Sequence, residues 1–253
     1  MFRYVFSIIL FTQIAFCDTI TLVADEWCPY NCVAGSKNPG YMIEVAQKIF
    51  HEAGHKVVYI TGPSWEVAIE QSRNNEYNAI VGAAKDDAPD FIYPQNEIGI
   101  AQMAFLIHST SPWQYTGLDS LSHVKLGAIT DYTYNEEIDE YIQQHKNNPT
   151  KVQLVSGNHA LDYNMQKLTR GTISTLIDDT AVIKYYFKSK QLTNPFKFVN
   201  IDAESKSYIA FSPKHNKSEE YATILSAGID QLRKSGELNT IMQKYGLSDW
   251  KEE

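Results

Sequence analysis

TITLVADEWCPYNCVAGSKNPGYMIEVAQKIFHEAGHKVVYIT, residues 19–61, decides the fold class. TITLVA (19–24) is a short run rich in β-branched residues. Met42, Ala46, Ile49, Phe50 and Ala53 then recur at helical spacing, and Gly54 stands where a helix stops. KVVYIT (56–61) reads as the next strand. A helix from Ser64 to about Arg73 and the strand NAIVGA (78–83) continue the alternation. Strand, helix, strand, helix, strand is a parallel α/β unit with right-handed crossovers.

The same order restarts beyond the polar stretch STSPWQYTG (109–117). KLGAI (125–129), VQLVS (152–156) and ISTLI (173–177) read as strands, and 133–145, 158–170 and 179–188 as helices. Two α/β lobes are expected, each a mainly parallel sheet flanked by helices. SYIAFSP (207–213) and two amphipathic helices, 218–234 and 237–245, hold one strand between them and should pack back onto one of the lobes. The division expected is 18–108 plus 207–253 for the first lobe and 109–206 for the second. The hinge crossings are then IGIAQMAFLIHS (98–109) and the stretch from Phe198 to Ser207. Ligands of open α/β sheets bind beyond the carboxyl ends of the strands, so the cleft between the lobes is the expected site.

Working back to the start, Arg3 precedes a mostly apolar run from Tyr4 to Phe16. Its 13 or so residues fall short of the roughly 20 that span a bilayer, and the pattern is that of a secretory signal peptide, residues 1–17. Ala15 and Cys17 form a small-x-small site with cleavage before Asp18. The alternative is a lipoprotein that keeps an acylated Cys17, although bulky Phe16 fits that site poorly. The 253 residues carry 22 Lys and Arg against 30 Asp and Glu, a net charge of −8, with no basic run to neutralise phosphates. Nucleic acid is therefore not an expected partner.

Cleavage leaves two of the three cysteines, Cys28 and Cys32, in an oxidising compartment, where a disulfide is the default. So short a ring contributes about 2 kcal/mol at most, enough to stiffen a loop. Two cysteines without nearby histidines do not supply a metal site.

ADEWCPYNC, GYMIEVAQKIFHEAG, Trp65 opening a helix, NEYNAIVGAAKDDAPDFIYP, LGAITDYTYNEE, GTISTLIDDTAV and the segment from Ile209 to Gly246 follow one another in an order that resembles the family 3 extracytoplasmic solute-binding proteins. The resemblance covers nearly all of the mature chain. It implies the two-lobed type II periplasmic-binding-protein fold and a periplasmic or secreted monomer. It also implies capture of a small polar solute, amino-acid-like or cationic, for the membrane permease of an ABC importer, with no catalysis and no cofactor.

In that family the ligand carboxylate is held by an Arg after a first-lobe strand that ends in Gly, and by a Thr at a second-lobe helix start. An Asp after a later second-lobe strand pairs with the ligand amino group. The resemblance puts Gly82, Thr133 and Asp179 at these positions. The Arg is missing. AAKDDAPD (83–90) offers Lys85 as its only cation, a point charge without the bidentate fork of a guanidinium.

Other readings of the same residues stand beside these. Thr133 with Glu136 spells a capping box, Asp179 suits a helix N-cap, and Asp86 with Asp87 suits a solvated acidic loop. Trp27, Tyr30 and Trp65 lie at strand ends or helix starts facing the expected cleft, where aromatic faces sandwich an apolar stem or a cation. Asp25 with Glu26 suits a cationic group. His51-Glu52-Ala53-Gly54-His55 is a literal H-E-x-x-H, but Gly54 should end the helix and part the two histidines. Two other roles fit the same fold: a soluble sensor subunit for a signalling receptor, and a dehydratase-like periplasmic enzyme.

Overall fold

Residues 18–62 and 64–251 are described by the computed structural model; the expected signal peptide and Cys17 lie outside them. β1 (Thr19–Ala24) and β2 (Lys56–Thr61) pair in parallel from Thr19 opposite Lys56 to Ala24 opposite Thr61, on the residues that the β-branched runs mark. Between them, α1 (Tyr41–Glu52) buries Met42, Ala46, Ile49 and Phe50, and also Ile43 and Val45.

The helix stops as its sequence dictates. Gly54 takes φ 86°, its N–H reaches the His51 carbonyl at 3.0 Å, and the His55 N–H reaches the Phe50 carbonyl at 2.8 Å. These paired bonds form a Schellman stop. His55 is thereby turned out of the helix, with Nδ1 3.4 Å from Asp18, and the two histidines of the H-E-x-x-H string do not share a helical face.

α2 (Trp65–Arg73) starts at Ser64, whose Oγ accepts from the Val67 N–H. β3 (Ala79–Ala83) then joins β1 in parallel. β4 (Gly99–His108) leaves for the second half of the molecule, which comprises α3 (Leu118–Leu121), β5 (Leu126–Ile129), α4 (Glu136–His145), β6 (Val152–Val155), α5 (Ala160–Thr169), β7 (Thr175–Asp179) and α6 (Thr180–Ser189). β8 (Phe196–Phe211) returns, and α7 (Ser218–Lys234) and α8 (Glu237–Lys244) close the described chain. The strands run β2-β1-β3-β8-β4-β7-β5-β6. β4 and β8 lie antiparallel to each other and link the mainly parallel arrays of the two lobes.

Packing follows from strand alternation. In the second lobe Phe105, Ile107 and Ile177 face Ile138 of α4, while their neighbours Leu106 and Leu176 face Met165 and Ile183 of α5 and α6. In the first lobe the end of β8 pairs with β3, Ala79 opposite Phe211, and α7 covers α1. The C-terminal segment thus returns to the first lobe.

Several expected boundaries move by two or three residues, and β8 runs on from Phe196 through the expected strand at 207; the start of α4 has the clearest cause. α4 begins at Glu136, and Asn135 is its N-cap, accepting from the Ile138 N–H at 2.9 Å. The Thr133 capping box does not form, because Asn135, an equally good cap, stands nearer the first apolar position of the helix.

Candidate functional site

β4 and β8 form the floor of a cavity between the lobes. Their register shifts between Gln102 and Ala104, which pair with Glu204 and Asn200. The strand segment between those partners bulges, and Asp202, Ala203 and Glu204 line the floor beside Ala101 and Met103. The cavity measures about 380 Å³. Asp25, Trp27, Asn31, Trp65, Gly82, Asp86 and Asp87 wall it on the first-lobe side, and residues 132–136 on the other.

Trp27 is presented by a tight loop. Its N–H donates to the Asn31 carbonyl at 2.8 Å, and its own carbonyl accepts from the Tyr30 and Asn31 N–H groups. The Cys28–Cys32 disulfide, with Cα atoms 4.7 Å apart, closes this loop. The indole stacks on the Tyr30 ring at 4.0 Å and 17°. Gly82 faces it from the end of β3 with φ 92°. A Cβ there would stand 3.3 Å from both Asn31 Oδ1 and the Trp27 ring, so both conformation and space favour glycine.

Two hydrogen bonds cross between the lobes at the cavity wall. The Tyr132 hydroxyl donates to Asp25 Oδ2 at 2.8 Å, and the Thr133 hydroxyl donates to Asp87 Oδ1 at 2.9 Å. Asp87 Oδ2 accepts from the Ala84 N–H at 2.8 Å, which fixes the carboxylate toward the second lobe. Burial pushes the Asp25 carboxyl up to about 6, against the lowering effect of the Tyr132 hydroxyl, and raises Asp87 as well.

Of the residues singled out in the sequence, Asp25, Trp27, Trp65, Gly82 and Thr133 meet at this cavity. Three do not. Tyr30 is buried behind Trp27, its hydroxyl 3.0 Å from the Ile100 carbonyl and 3.1 Å from Asp179 Oδ1. Lys85 is turned outward, its Nζ 5.5 Å from the centre of the Tyr208 ring. Asp179 is fully buried and caps α6: Oδ1 accepts from the Ala181 and Val182 N–H groups at 2.8 and 3.0 Å, and Oδ2 from the Gln102 N–H at 2.7 Å. Its acceptors are used within the protein, which corrects the expectation that it faces a ligand.

Asp179 borders a small space of about 130 Å³ with Tyr30 and Gln102, and its neighbour Asp178 reaches a larger one. It lines a second space of about 350 Å³ on the far side of Trp27 and Tyr132, with Glu26, Ile129, Tyr185 and Lys190. Burial, with the charges of Asp179 and Asp25 in support, pushes its carboxyl up to about 7 against the lowering effect of hydrogen bonding. Asn31, Asp87, Asp178 and Tyr132 were not singled out as ligand contacts from sequence. The aromatic-acidic composition of 25–31 and 130–136 is the signal that could have drawn attention to two of them. Among the described residues no three His, Cys, Asp or Glu side chains gather as a metal site.

The profile of the bacterial extracellular solute-binding proteins, family 3, matches residues 20–248. No curated protein matches the chain in sequence. Similar solved structures include one from work on glutathione import in Gram-positive bacteria through GshT and the cystine ABC importer TcyBC of Streptococcus mutans. It has 17% identity and a TM-score of 0.74, over 91% of this chain and 95% of that one. A histidine kinase sensor domain with similarity to periplasmic binding proteins has 19% identity and a TM-score of 0.69, over 91% and 96%. An ancestral amino-acid-binding protein, a precursor of cyclohexadienyl dehydratase, has 15% identity and a TM-score of 0.69, over 90% and 94%. All three share the two-lobed fold.

Proposed function

Because the chain belongs to the bacterial extracellular solute-binding proteins of family 3, we propose that it captures a small polar solute between its lobes and delivers it to the permease of an ABC importer, with no chemistry on the solute. The observation that carries this reading is a cavity whose two walls come from different lobes and whose floor is the pair of crossing strands β4 and β8. A ligand touching both walls favours the closed arrangement by its differential affinity for closed over open. Trp27 and Trp65 supply flat apolar faces, Asp25 and Asp86 supply charge, and Tyr132 and Thr133 are the second-lobe contacts. Export behind the signal peptide of residues 1–17 belongs to the same reading.

A sensor role is the second reading, favoured by the likeness to a histidine kinase sensor domain. The cavity serves both roles, and the difference lies in which membrane protein reads the closed form. An enzymatic role has the likeness to a dehydratase precursor behind it, and turnover assays separate it from binding.

A thermal-shift screen of polar solutes tests the reading. A ligand at 100 times its dissociation constant adds about 2.7 kcal/mol to stability, and Trp65→Ala should abolish the shift. A screen without any hit, or a hit indifferent to Trp65→Ala, overturns binding at this cavity.

A further inference from the structure

We propose that the solute carries a positive charge and no carboxylate: an amine, guanidinium or quaternary ammonium compound held between Trp27 and Trp65 and paired with Asp25 and Asp86. This deepens the binding-protein reading above and rests on it.

The cavity has charge of one sign only. Asp25, Asp86, Asp87, Glu136, Asp202 and Glu204 line it, and no Lys, Arg or His does. The two cations that adjoin lining residues in sequence are engaged elsewhere. Lys85 sits over the Tyr208 ring at 5.5 Å, and Lys206, next to the floor residue Ser205, pairs with Glu97 at 3.6 Å. A carboxylate entering this space would meet like charge on three sides and no cationic partner. A cation would meet carboxylates, of which Asp25 and Asp87 already accept hydrogen bonds from neutral donors.

The place where a carboxylate would be sought is also filled. Thr133 Oγ1 donates to Asp87, so the hydroxyl already holds a carboxylate belonging to the protein. At the start of α4 the Ile138 N–H is taken by Asn135 and the Tyr134 N–H by Asp139. Glu136 and Glu137 stand in the first turn of that helix and oppose any attraction its dipole offers an anion.

A second observation points to a donor-bearing ligand. Asn31 is wholly buried and lines the cavity, and its Nδ2 donates to the Asp25 carbonyl at 2.6 Å, yet its Oδ1 accepts no hydrogen bond. An amine or guanidinium supplies N–H donors for that oxygen, and flat aromatic faces such as those of Trp27 and Trp65 attract a cation through the ring quadrupole.

Titration calorimetry on the purified full-length mature protein decides the matter with agmatine, putrescine and choline as carboxylate-free cations, against arginine and glutamate. Agmatine and arginine differ by the carboxylate alone. The expected result is that the tightest of the three cations binds at least 10-fold more tightly than arginine, that glutamate does not bind, and that Asp86→Asn, at an exposed position, weakens the cation several-fold. Arginine binding as tightly as the best cation, binding of glutamate, or a solute screen that yields only neutral or anionic ligands overturns the charge class while leaving the binding reading intact. A screen that yields no ligand of any charge overturns both.

Discussion

Thr133 and Asp87, 46 residues apart in sequence and on opposite lobes, are joined by a 2.9 Å hydrogen bond from hydroxyl to carboxylate. The residue that the family resemblance places at a ligand thus contacts the protein's own acid, and the bond ties one lobe to the other. Thr133→Val should remove this tie and shift the unliganded protein toward an open form. Small-angle scattering should show a larger radius of gyration, while the melting temperature moves little because Thr133 is exposed. An unchanged scattering profile would show that the bond does not hold the lobes.

Asp179→Ala should be a stability mutant. It deletes a helix cap worth about 1 kcal/mol and strands the Gln102 N–H in a partly buried setting at about 1–3 kcal/mol, while the Tyr30 hydroxyl keeps the Ile100 carbonyl as acceptor. Denaturant unfolding should register a loss of several kcal/mol. The affinity of the remaining folded protein for its solute should be close to that of the parent. A large loss of affinity with normal stability would return Asp179 to the ligand site.

Stability should fall as pH rises from about 4 to about 7 and level off above. Asp178, facing Trp27, Asp25 and Asp179, is raised to about 7, and Asp25 to about 6, from an ordinary value near 3.8. Between pH 4 and 7 the folded state therefore holds more protons than the unfolded state. The contribution of these acids is fully present below pH 4 and lost by pH 8, at about 1.4 kcal/mol per unit of difference. Asp178→Asn, which imitates the protonated acid, should flatten the slope and be more stable than the parent at pH 8. Parallel slopes for the two proteins would rule out Asp178 as its source.

Gly82→Ala should cost more than about 1 kcal/mol, since φ 92° is unfavourable for a residue with a Cβ. The new methyl would press on Asn31 Oδ1 and the Trp27 ring. Chemical denaturation gives the first effect, and a changed tryptophan emission spectrum the second.

The regular elements were legible because their burial follows simple periods. β1 and β2 occupy the β-branched runs residue for residue, and Gly54 ends α1 where a φ that favours glycine was expected. The site was legible only in part. Thr133 and Asn135 are both competent caps, and which one wins depends on where the α4 stripe meets the sheet. Asp178 and Asp179 are adjacent on a strand, so their side chains take opposite sides. Composition does not say which side each acid takes; that is set when Ala104 and Met103 of β4 pair with them. The interlobe bonds of Asp25 and Asp87 depend on how two lobes meet, which no local pattern encodes.

The return of β8 to β3, and of α7 to α1, has a consequence for a chain made from its N-terminus onward. The lobe synthesised first cannot be finished first. Until residues 207–244 emerge, β3 keeps an unpaired edge and α1 an uncovered apolar face, whereas β5, β6 and β7 and their helices come from one continuous stretch. The nascent protein should acquire protease resistance in its middle before its beginning. The topology leaves the N-terminal half open for longer than the middle and locks it when the last helices arrive.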